Sequence, residues 1–261
     1  MFLANEILIS DAISLSIIII AVLIGVVGIT SAVVSVVLFF SYIKYNRRQN
    51  SAHITGVEAA RKILDENNLQ DIRVKTVGSV LFGNSYSHYF KMVRLRRLTR
   101  NKTSITSLAM GAQKASLAVL DKEGDPDMKR RIRLVPLITF GPFAFIPLIA
   151  IGIILDFFVF KTNGIILLVL IALGVLFYVF SLVLSIVTLK TEKKAQEKAY
   201  ELLRQYHMAN DDEIEDIKKI FRLYNIQYIN DIILSALEFI YRLLQIVEMF
   251  NNNSKHTFKR K

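Results

Sequence analysis

The sequence contains no cysteine, no tryptophan and only four histidines among 261 residues. Without cysteine the chain forms no disulfide and offers no thiolate to a metal ion. The histidines are His53, His88, His207 and His256, and no two of them are three to five residues apart. A helical turn therefore cannot present two imidazoles to one metal ion, which excludes a paired-histidine zinc helix.

Charge is scarce in three long apolar runs, residues 12–43, 134–160 and 164–189. Hydrophobic residues make up 53% of the chain, a composition typical of membrane insertion. As a helix the first run would extend about 48 Å, beyond the roughly 30 Å hydrocarbon core of a bilayer. Its length and the acidic Glu6 and Asp11 before it argue against a cleaved signal peptide. We predict three transmembrane helices.

The second run contains prolines in its first half, which predict a kink, and Asp156 near its end. An acid inside a span is a functional candidate by default. The nearby Lys161 favours a structural acid at the membrane interface instead. The short loop 161–164 predicts an antiparallel hairpin of the second and third helices.

Basic residues are concentrated in residues 44–133 and directly after the third run, whereas residues 1–11 contain none. The positive-inside rule therefore places the N-terminus outside, and residues 44–133 and the C-terminus in the cytoplasm. Since the basic clusters flank membrane segments and lack an aromatic platform, we expect lipid contacts and no nucleic-acid binding. The predicted contacts with anionic lipid are Lys44, Arg47, Arg48, Arg96, Arg97, Arg130 and Arg131.

Between the first two runs the sequence predicts a small α+β segment. Thr55 and Glu58 form a capping box that opens a short amphipathic helix. Segments 71–77 and 90–95 alternate apolar with polar residues, which predicts a small β-hairpin or two short strands. A second helix, rich in small residues, is expected over 103–120 and ends at "DKEGDP".

After the third run we predict separate cytoplasmic helices over 192–206, from 210 to about 223, and over 229–249. Asn210 and Glu213 form the capping box of the second helix. The last helix has a single narrow polar stripe, so most of its circumference must be buried against protein, the membrane interface or a partner. The predicted partner-binding residues are Ile232, Ile233, Leu237, Ile240, Leu244 and Val247. Residues 251–261 are predicted to form a basic, disordered tail.

Three blocks resemble a known family: "TGVEAARKILDENNLQDIRV" (55–74), "NSYS" with "KMVRL" (84–95) and "IVTLKTEKKA" (186–195). Their order and spacing are similar to those of the bacterial "putative neutral zinc metallopeptidase" family, also called YugP-like. The resemblance implies a mainly α-helical, multi-pass protein of the bacterial cell membrane. Its cytoplasmic part would be zincin-like and α+β. The domains would be residues 1–43, 44–133, 134–189, 190–250 and 251–261.

Members of that family carry a His-Glu-x-x-His zinc helix where this chain has "GAQKASLAV" (111–119). The resemblance places Gln113 and Leu117 at the histidine positions and Lys114 at the position of the glutamate. Leucine has no donor atom, an amide is a weak zinc ligand, and an ammonium repels Zn²⁺ and cannot act as a base. The family's acidic pair after the last span corresponds to Glu192 and Lys194.

Glu192 is then the remaining acid of a degenerate site, with no catalytic residue and no cofactor expected. Two interpretations of Lys114 stay open. Its ammonium replaces the lost cation and pairs with Glu192, or it is a surface lysine on an amphipathic helix.

The function that the resemblance implies is a non-catalytic pseudo-peptidase that serves as a scaffold, adaptor or regulatory subunit. Its partner would be an intact paralogue or another membrane protein, in a homo- or hetero-oligomer. One alternative is an active peptidase with an unconventional site, using Ser107 or Ser116 with Lys114 as base. Another alternative is an oligomeric transport or channel component.

Overall fold

The computed structural model describes residues 2–77, 83–138, 141–160, 162 and 164–258. The chain is mainly helical and divides into two compact units, one of Val36–Ile226 and one of the residues that precede and follow it. The helices are α1 (Phe2–Arg47), α2 (Gly56–Glu66), α3 (Arg97–Arg100), α4 (Ile105–Glu123), α5 (Pro126–Ile138), α6 (Gly141–Ile154), a π-helical turn (Leu155–Phe160), α7 (Ile165–Gln205) and α8 (Asp211–Phe258). The strands are β1 (Arg73–Val77), β2 (Ser85–Ser87) and β3 (Met92–Arg96).

Two helical segments, Asp11–Arg47 and Ile165–Gln205, are long and apolar enough to cross a membrane. They contain the first and third predicted spans. The second run is divided among α5, α6 and the π-helical turn, with Pro147 inside α6. Its apolar helical segment Pro147–Phe160 is shorter than the roughly 20 residues that span a bilayer. Three separate spans are therefore not confirmed.

The hairpin between α6 and α7 is present. A Cβ placed on Gly152 would lie only 3.2 Å from the Cα of Leu167, so the two helices pack closely on either side of their short connection. Asp156 is buried at this end and accepts hydrogen bonds from Thr162 Oγ1 (2.8 Å), Gly164 N (2.9 Å) and Leu167 N (3.0 Å). Asp156 thus caps α7, the structural role that the sequence favoured.

The main hydrophobic core forms where α2 packs against α4. The capping box of Thr55 and Glu58 is present at the start of α2. A Cβ on Gly111 of α4 would overlap the backbone carbonyl of Gly56, so the two backbones touch directly at this point. The alanines of α4 that share this core are fully buried. The small residues of α4 therefore let α2 and α4 approach closely, because larger side chains would hold the two backbones apart.

The three strands form one mixed sheet in the order β1-β3-β2. β1 and β3 pair in parallel, with Val74 opposite Val93, and β2 pairs with β3 in the antiparallel direction. Of the two alternatives for 71–77 and 90–95, the hairpin is therefore wrong, because the connection returns the chain to the starting end of β1. The other alternative, two short strands, is confirmed. The hairpin is formed by β2 and β3. A strand of three residues is too short for alternation to reveal it.

The C-terminal helices are longer than predicted. α7 continues to Gln205 without a break, so residues 192–206 are not a separate helix. α8 joins the two predicted helices and also includes residues 251–258, where we expected a disordered tail. No glycine or proline interrupts Asp211–Phe258, so no local signal ends the helix. Residues 259–261 of the predicted tail lie outside the described residues.

The capping box at the start of α8 is confirmed. Asn210 N donates to Glu213 Oε2 at 3.0 Å, and Glu213 N donates to Asn210 Oδ1 at 2.9 Å. Farther along, the polar residues of α8 contact serines of α1 within the unit that both ends of the chain form. Gln227 Nε2 donates to Ser31 Oγ (2.9 Å), and Ser14 Oγ donates to Glu248 Oε1 (3.3 Å).

Candidate functional site

Helix α4 carries the residues that the family motif singles out. It begins at the N-cap Ser104, whose Oγ accepts from Ser107 N at 3.2 Å. It ends at Gly124, whose φ of 74° is left-handed and favours glycine. Every residue from Ile105 to Leu120 is buried. The polar side chains in this stretch therefore need partners inside the protein.

Two of these side chains meet Glu192 of α7. Gln113 Nε2 donates to Glu192 Oε2 at 2.9 Å, and Lys114 Nζ donates to the same oxygen at 2.7 Å. Arg131 of α5 donates from Nη2 to Glu192 Oε1 at 3.0 Å. The contact predicted between Lys114 and Glu192 is thus confirmed. The alternative of a surface lysine is wrong, since only 8% of Lys114 is exposed.

The electrostatics of Glu192 follow from these contacts. Burial raises the pKa of the carboxyl group, but the charges on Lys114 and Arg131 outweigh burial and hold the pKa below its ordinary value. Glu192 is therefore an anion at neutral pH, bracketed by two cations and an amide. We call Gln113, Lys114, Arg131 and Glu192 the Glu192 cluster.

Leu117, the other motif position, is fully buried in an apolar group with Leu120, Met128 and Ala195. It adds no donor atom to the cluster. Zinc needs several anionic or imidazole donors, whereas here one carboxylate faces an ammonium and a guanidinium. The residues of the cluster do not fit a zinc ion. Across the described ranges, no group of three or more histidines and acids is placed to hold a metal ion.

Lys194, aligned by the resemblance with an acid of the family, lies in a second ion cluster. Its Nζ contacts Asp125 Oδ2 at 2.8 Å and Asp127 Oδ2 at 2.5 Å, and Lys190 contacts Asp127 Oδ1 at 3.1 Å. Hydrogen bonds to the two aspartates raise the pKa of Lys194. Sequence reasoning missed both acids, because "DKEGDPD" was interpreted only as a helix end. The second cluster joins α5 to α7.

Arg131 was predicted as a lipid contact, and this prediction is wrong, because its guanidinium bonds to Glu192 and its side chain is only 15% exposed. Arg48, another predicted lipid contact, pairs with the mostly buried Asp216 while remaining half-exposed itself. The others, Lys44, Arg47, Arg96, Arg97 and Arg130, are exposed on the surface. Their contact with lipid stays a prediction.

His88 directly follows β2 and reaches α4. Its Nδ1 lies 2.6 Å from Asp121 Oδ2, and the Tyr86 hydroxyl donates to the same oxygen at 2.6 Å. Burial, and then the bond to Asp121, raise the pKa of Tyr86. This contact depends on β2, the strand that alternation could not reveal.

Lys114 bonds to neither Ser107 nor Ser116 in the part of the chain that the structure describes. Ser107 Oγ accepts from Ser104 Oγ at 2.9 Å at the start of α4. Ser116 Oγ is buried and has no hydrogen-bond partner among the described residues. Lys114, the base of the proposed pair, donates its hydrogen bond to Glu192 Oε2 instead.

The predicted partner-binding residues lie on α8, in the unit formed by the two ends of the chain. Ile233 (43% exposed), Ile240 (43%) and Val247 (48%) recur every seven residues and face outward. Ile232, Leu237 and Leu244 are half-buried. The outward apolar face is thus narrower than the predicted one.

Comparison with known proteins assigns the chain to a family. Residues 17–248 match the family described as "Putative neutral zinc metallopeptidase". The chain is 25% identical over 211 residues to the "Putative membrane protease YugP" of Bacillus subtilis (strain 168), an alignment that covers 80% of this chain and 86% of that protein. No solved structure matches the chain. With a match across most of its length, this chain belongs to the neutral zinc metallopeptidase family.

Proposed function

We propose that this chain is a non-catalytic member of its family, a membrane protein that binds a partner and does not cleave it. The observation that carries the proposal is the Glu192 cluster. At the motif positions where the family has a zinc ligand and the general base, Gln113 and Lys114 donate hydrogen bonds to Glu192 at 2.9 and 2.7 Å.

The chemistry of these side chains opposes metal-assisted hydrolysis. Such a reaction needs a cation that activates water and a base that accepts the proton. Lys114 supplies a fixed positive charge that has no ability to ligate, and it occupies the position of the base. A divalent ion beside this ammonium and the Arg131 guanidinium would meet repulsion from both.

The same contacts support a retained framework. Removing a cation from beside a buried acid leaves an uncompensated charge, which is strongly unfavourable. Lys114 and Arg131 compensate Glu192 from α4 and α5. The cluster therefore holds the three helices in position without a metal, which is what a binding protein derived from an enzyme requires.

The proposed role is that of a scaffold, adaptor or regulatory subunit in a membrane complex. The N-terminus would be outside, with residues 44–133 and the end of the chain in the cytoplasm, as the basic residues favour. Ile233, Ile240 and Val247 would contribute to an interface with a second copy, an intact paralogue or another membrane protein. Their outward exposure on α8 supports this assignment.

Metal analysis of the full chain, purified from membranes in detergent, tests the loss of catalysis. We expect no stoichiometric zinc and no cleavage of a protein substrate after incubation with zinc. A matched variant, Gln113→His with Lys114→Glu and Leu117→His, restores the motif beside Glu192 and should increase bound zinc. Stoichiometric zinc in the unaltered chain, or proteolysis that a chelator abolishes, would contradict the proposal.

Cross-linking in intact membranes tests the binding role separately. We expect a discrete complex that is weakened when Ile233, Ile240 and Val247 are replaced by serine. Recovery of the unaltered chain only as a monomer would refute the scaffold role, whatever the zinc content.

A further inference from the structure

Another polar site, separate from the Glu192 cluster and from the ion cluster of Lys194, lies between α7 and the first turns of α8. Here a cavity of about 290 Å³ is rimmed by the basic residues Lys193, Lys218 and Arg222. The acid in its lining is Glu197. All of these residues belong to the unit Val36–Ile226.

The rim has an excess of positive charge that the protein leaves available. Lys218 pairs with Glu215 at 2.6 Å. Neither Lys193 nor Arg222 forms an ion pair with another residue in the described part of the chain, and both are exposed. A cavity edged by cations of this kind attracts an anion.

The floor of the cavity is built from neutral donors. Gln196, which is only 5% exposed, donates to Asn225 Oδ1 at 3.0 Å and accepts from Asn225 Nδ2 at 2.8 Å. This reciprocal bond fixes both amides, and each amide nitrogen keeps a second N–H for another acceptor. Since one of these amides is buried, the floor is a defined structure and not a chance arrangement of surface side chains.

Tyr200 also lines the cavity. Burial, followed by the nearby carboxylates of Glu197 and Glu215, raises its pKa to about 12, against the opposing effect of Arg222. Its phenol therefore stays protonated at neutral pH and can donate a hydrogen bond. Cations, amides and a phenol together form a set of donors suited to phosphate oxygens.

The position of the cavity indicates where the phosphate comes from. Lys193 is four residues beyond Leu189, where the apolar run of α7 ends. At 1.5 Å per residue this places Lys193 about 6 Å beyond the run, in the headgroup layer outside the hydrocarbon core, and Gln196 about 10 Å beyond it, on the aqueous side of that layer. We propose that this cavity binds the phosphate of an anionic phospholipid headgroup.

The volume agrees with a small headgroup. A cavity of about 290 Å³ has room for several water-sized groups. Phosphate with an attached glycerol fits this space. None of the lining residues belongs to the lipid contacts that the basic clusters of the sequence predict, and the site does not depend on the proposed loss of catalysis.

Native mass spectrometry of the full chain, extracted in mild detergent and titrated with phosphatidylglycerol, tests the site. The variant Lys193→Gln with Arg222→Gln should bind the lipid about 25-fold more weakly, from about a fivefold loss for each cation. A control, Arg73→Gln with Lys75→Gln, changes the charge equally on exposed residues of β1 and should bind as the unaltered chain does. Equal binding by the rim variant and the control would overturn the proposal.

A second variant separates a built site from general attraction to charge. Gln196→Leu with Asn225→Leu keeps the net charge and replaces a hydrogen-bonded pair by an apolar pair, a change that is close to neutral for folding. It should weaken lipid binding severalfold while its unfolding temperature stays near that of the unaltered chain. Undiminished binding by this variant would refute the defined site.

Titrations with phosphatidylcholine and with inorganic phosphate identify the source of the anion. We expect weak binding of phosphatidylcholine, whose headgroup has no net charge, and weak competition by inorganic phosphate. Strong binding of inorganic phosphate without retention of phosphatidylglycerol would overturn the assignment to lipid.

Discussion

Two carboxylates at opposite ends of the apolar part of α7, the buried Asp156 and the mostly buried Glu192, are stabilised in different ways. Asp156 accepts hydrogen bonds from two backbone N–H groups and a hydroxyl, all within 11 residues of it in the sequence. Glu192 accepts from side chains that are 78 and 79 residues away in α4, and from Arg131 in α5. The first acid is satisfied locally, and no counter-ion pairs with it among the residues that the structure describes. The second is satisfied only when three helices come together.

This difference separates two uses of a buried charge. A capping acid stabilises one helix end, because the donors at a helix N-terminus are already aligned. An acid paired with distant cations makes their positions interdependent, so removing it leaves those cations unpaired and buried. The Glu192 cluster should therefore matter for the whole fold, and Asp156 for one hairpin.

The largest effect is expected from Glu192→Gln. It leaves Lys114 and Arg131 without their anion and should lower the free energy of unfolding by about 3–5 kcal/mol. Chemical denaturation of the detergent-solubilised chain measures this loss of unfolding free energy. The control Glu201→Gln changes an exposed acid on the same helix, 70% exposed, and should cost less than about 0.5 kcal/mol. Equal losses in the two variants would show that the cluster does not join the helices.

A smaller effect is expected from Asp156→Ala, which removes three hydrogen bonds at the start of α7. Loss of a helix cap typically costs about 0.5–2 kcal/mol. Hydrogen exchange at the amides of Gly164 and Leu167 should accelerate, while exchange in α4 stays unchanged. The variant Asp156→Asn keeps a cap acceptor and should be milder than the alanine variant. Faster exchange throughout α4 would contradict a local role for Asp156.

Mild acid should produce the smallest effect, since it protonates only a fraction of the carboxylates. The pKa of Glu192 is lower in the folded protein than its ordinary value of 4.5. Its contribution to stability is therefore complete above that value and is lost as pH falls through the lower folded pKa. Asp127, whose pKa is lowered by hydrogen bonds from Lys194 and then Lys190, behaves in the same direction.

Denaturation curves from neutral pH to below pH 4.5 measure this loss. The Glu192→Gln variant lacks one titrating group, so its stability should decline less steeply with falling pH than that of the unaltered chain. Parallel curves for the two proteins would show that Glu192 is not coupled to folding.

Local patterns predicted much of the helical structure. The capping boxes of Thr55 with Glu58 and of Asn210 with Glu213 are present, and the helix over 103–120 is α4. These features depend on residues a few positions apart. Where no glycine or proline interrupted the chain, the predicted breaks in α7 and α8 were wrong, because polarity alone does not end a helix.

The candidate site was predictable only in part. The family resemblance aligned Lys114 with the lost glutamate and identified Glu192 as the remaining acid. These two assignments led to the prediction that Lys114 pairs with Glu192. Arg131 was assigned to lipid, although it belongs to the same cluster. Its position on α5 next to Glu192 follows from how α5 packs on α7, a contact between segments about 60 residues apart that no local pattern records.

The sequence alone determined the apolar runs, the helix caps and the absence of zinc-binding side chains at the motif, since these depend on composition and short-range spacing. Only the tertiary structure decided which cations neutralise Glu192, that β1 pairs with β3 in parallel, and that Asp121 meets His88. Such pairings join distant segments, and their free energy depends on burial and geometry that arise only when the helices and the sheet are packed together.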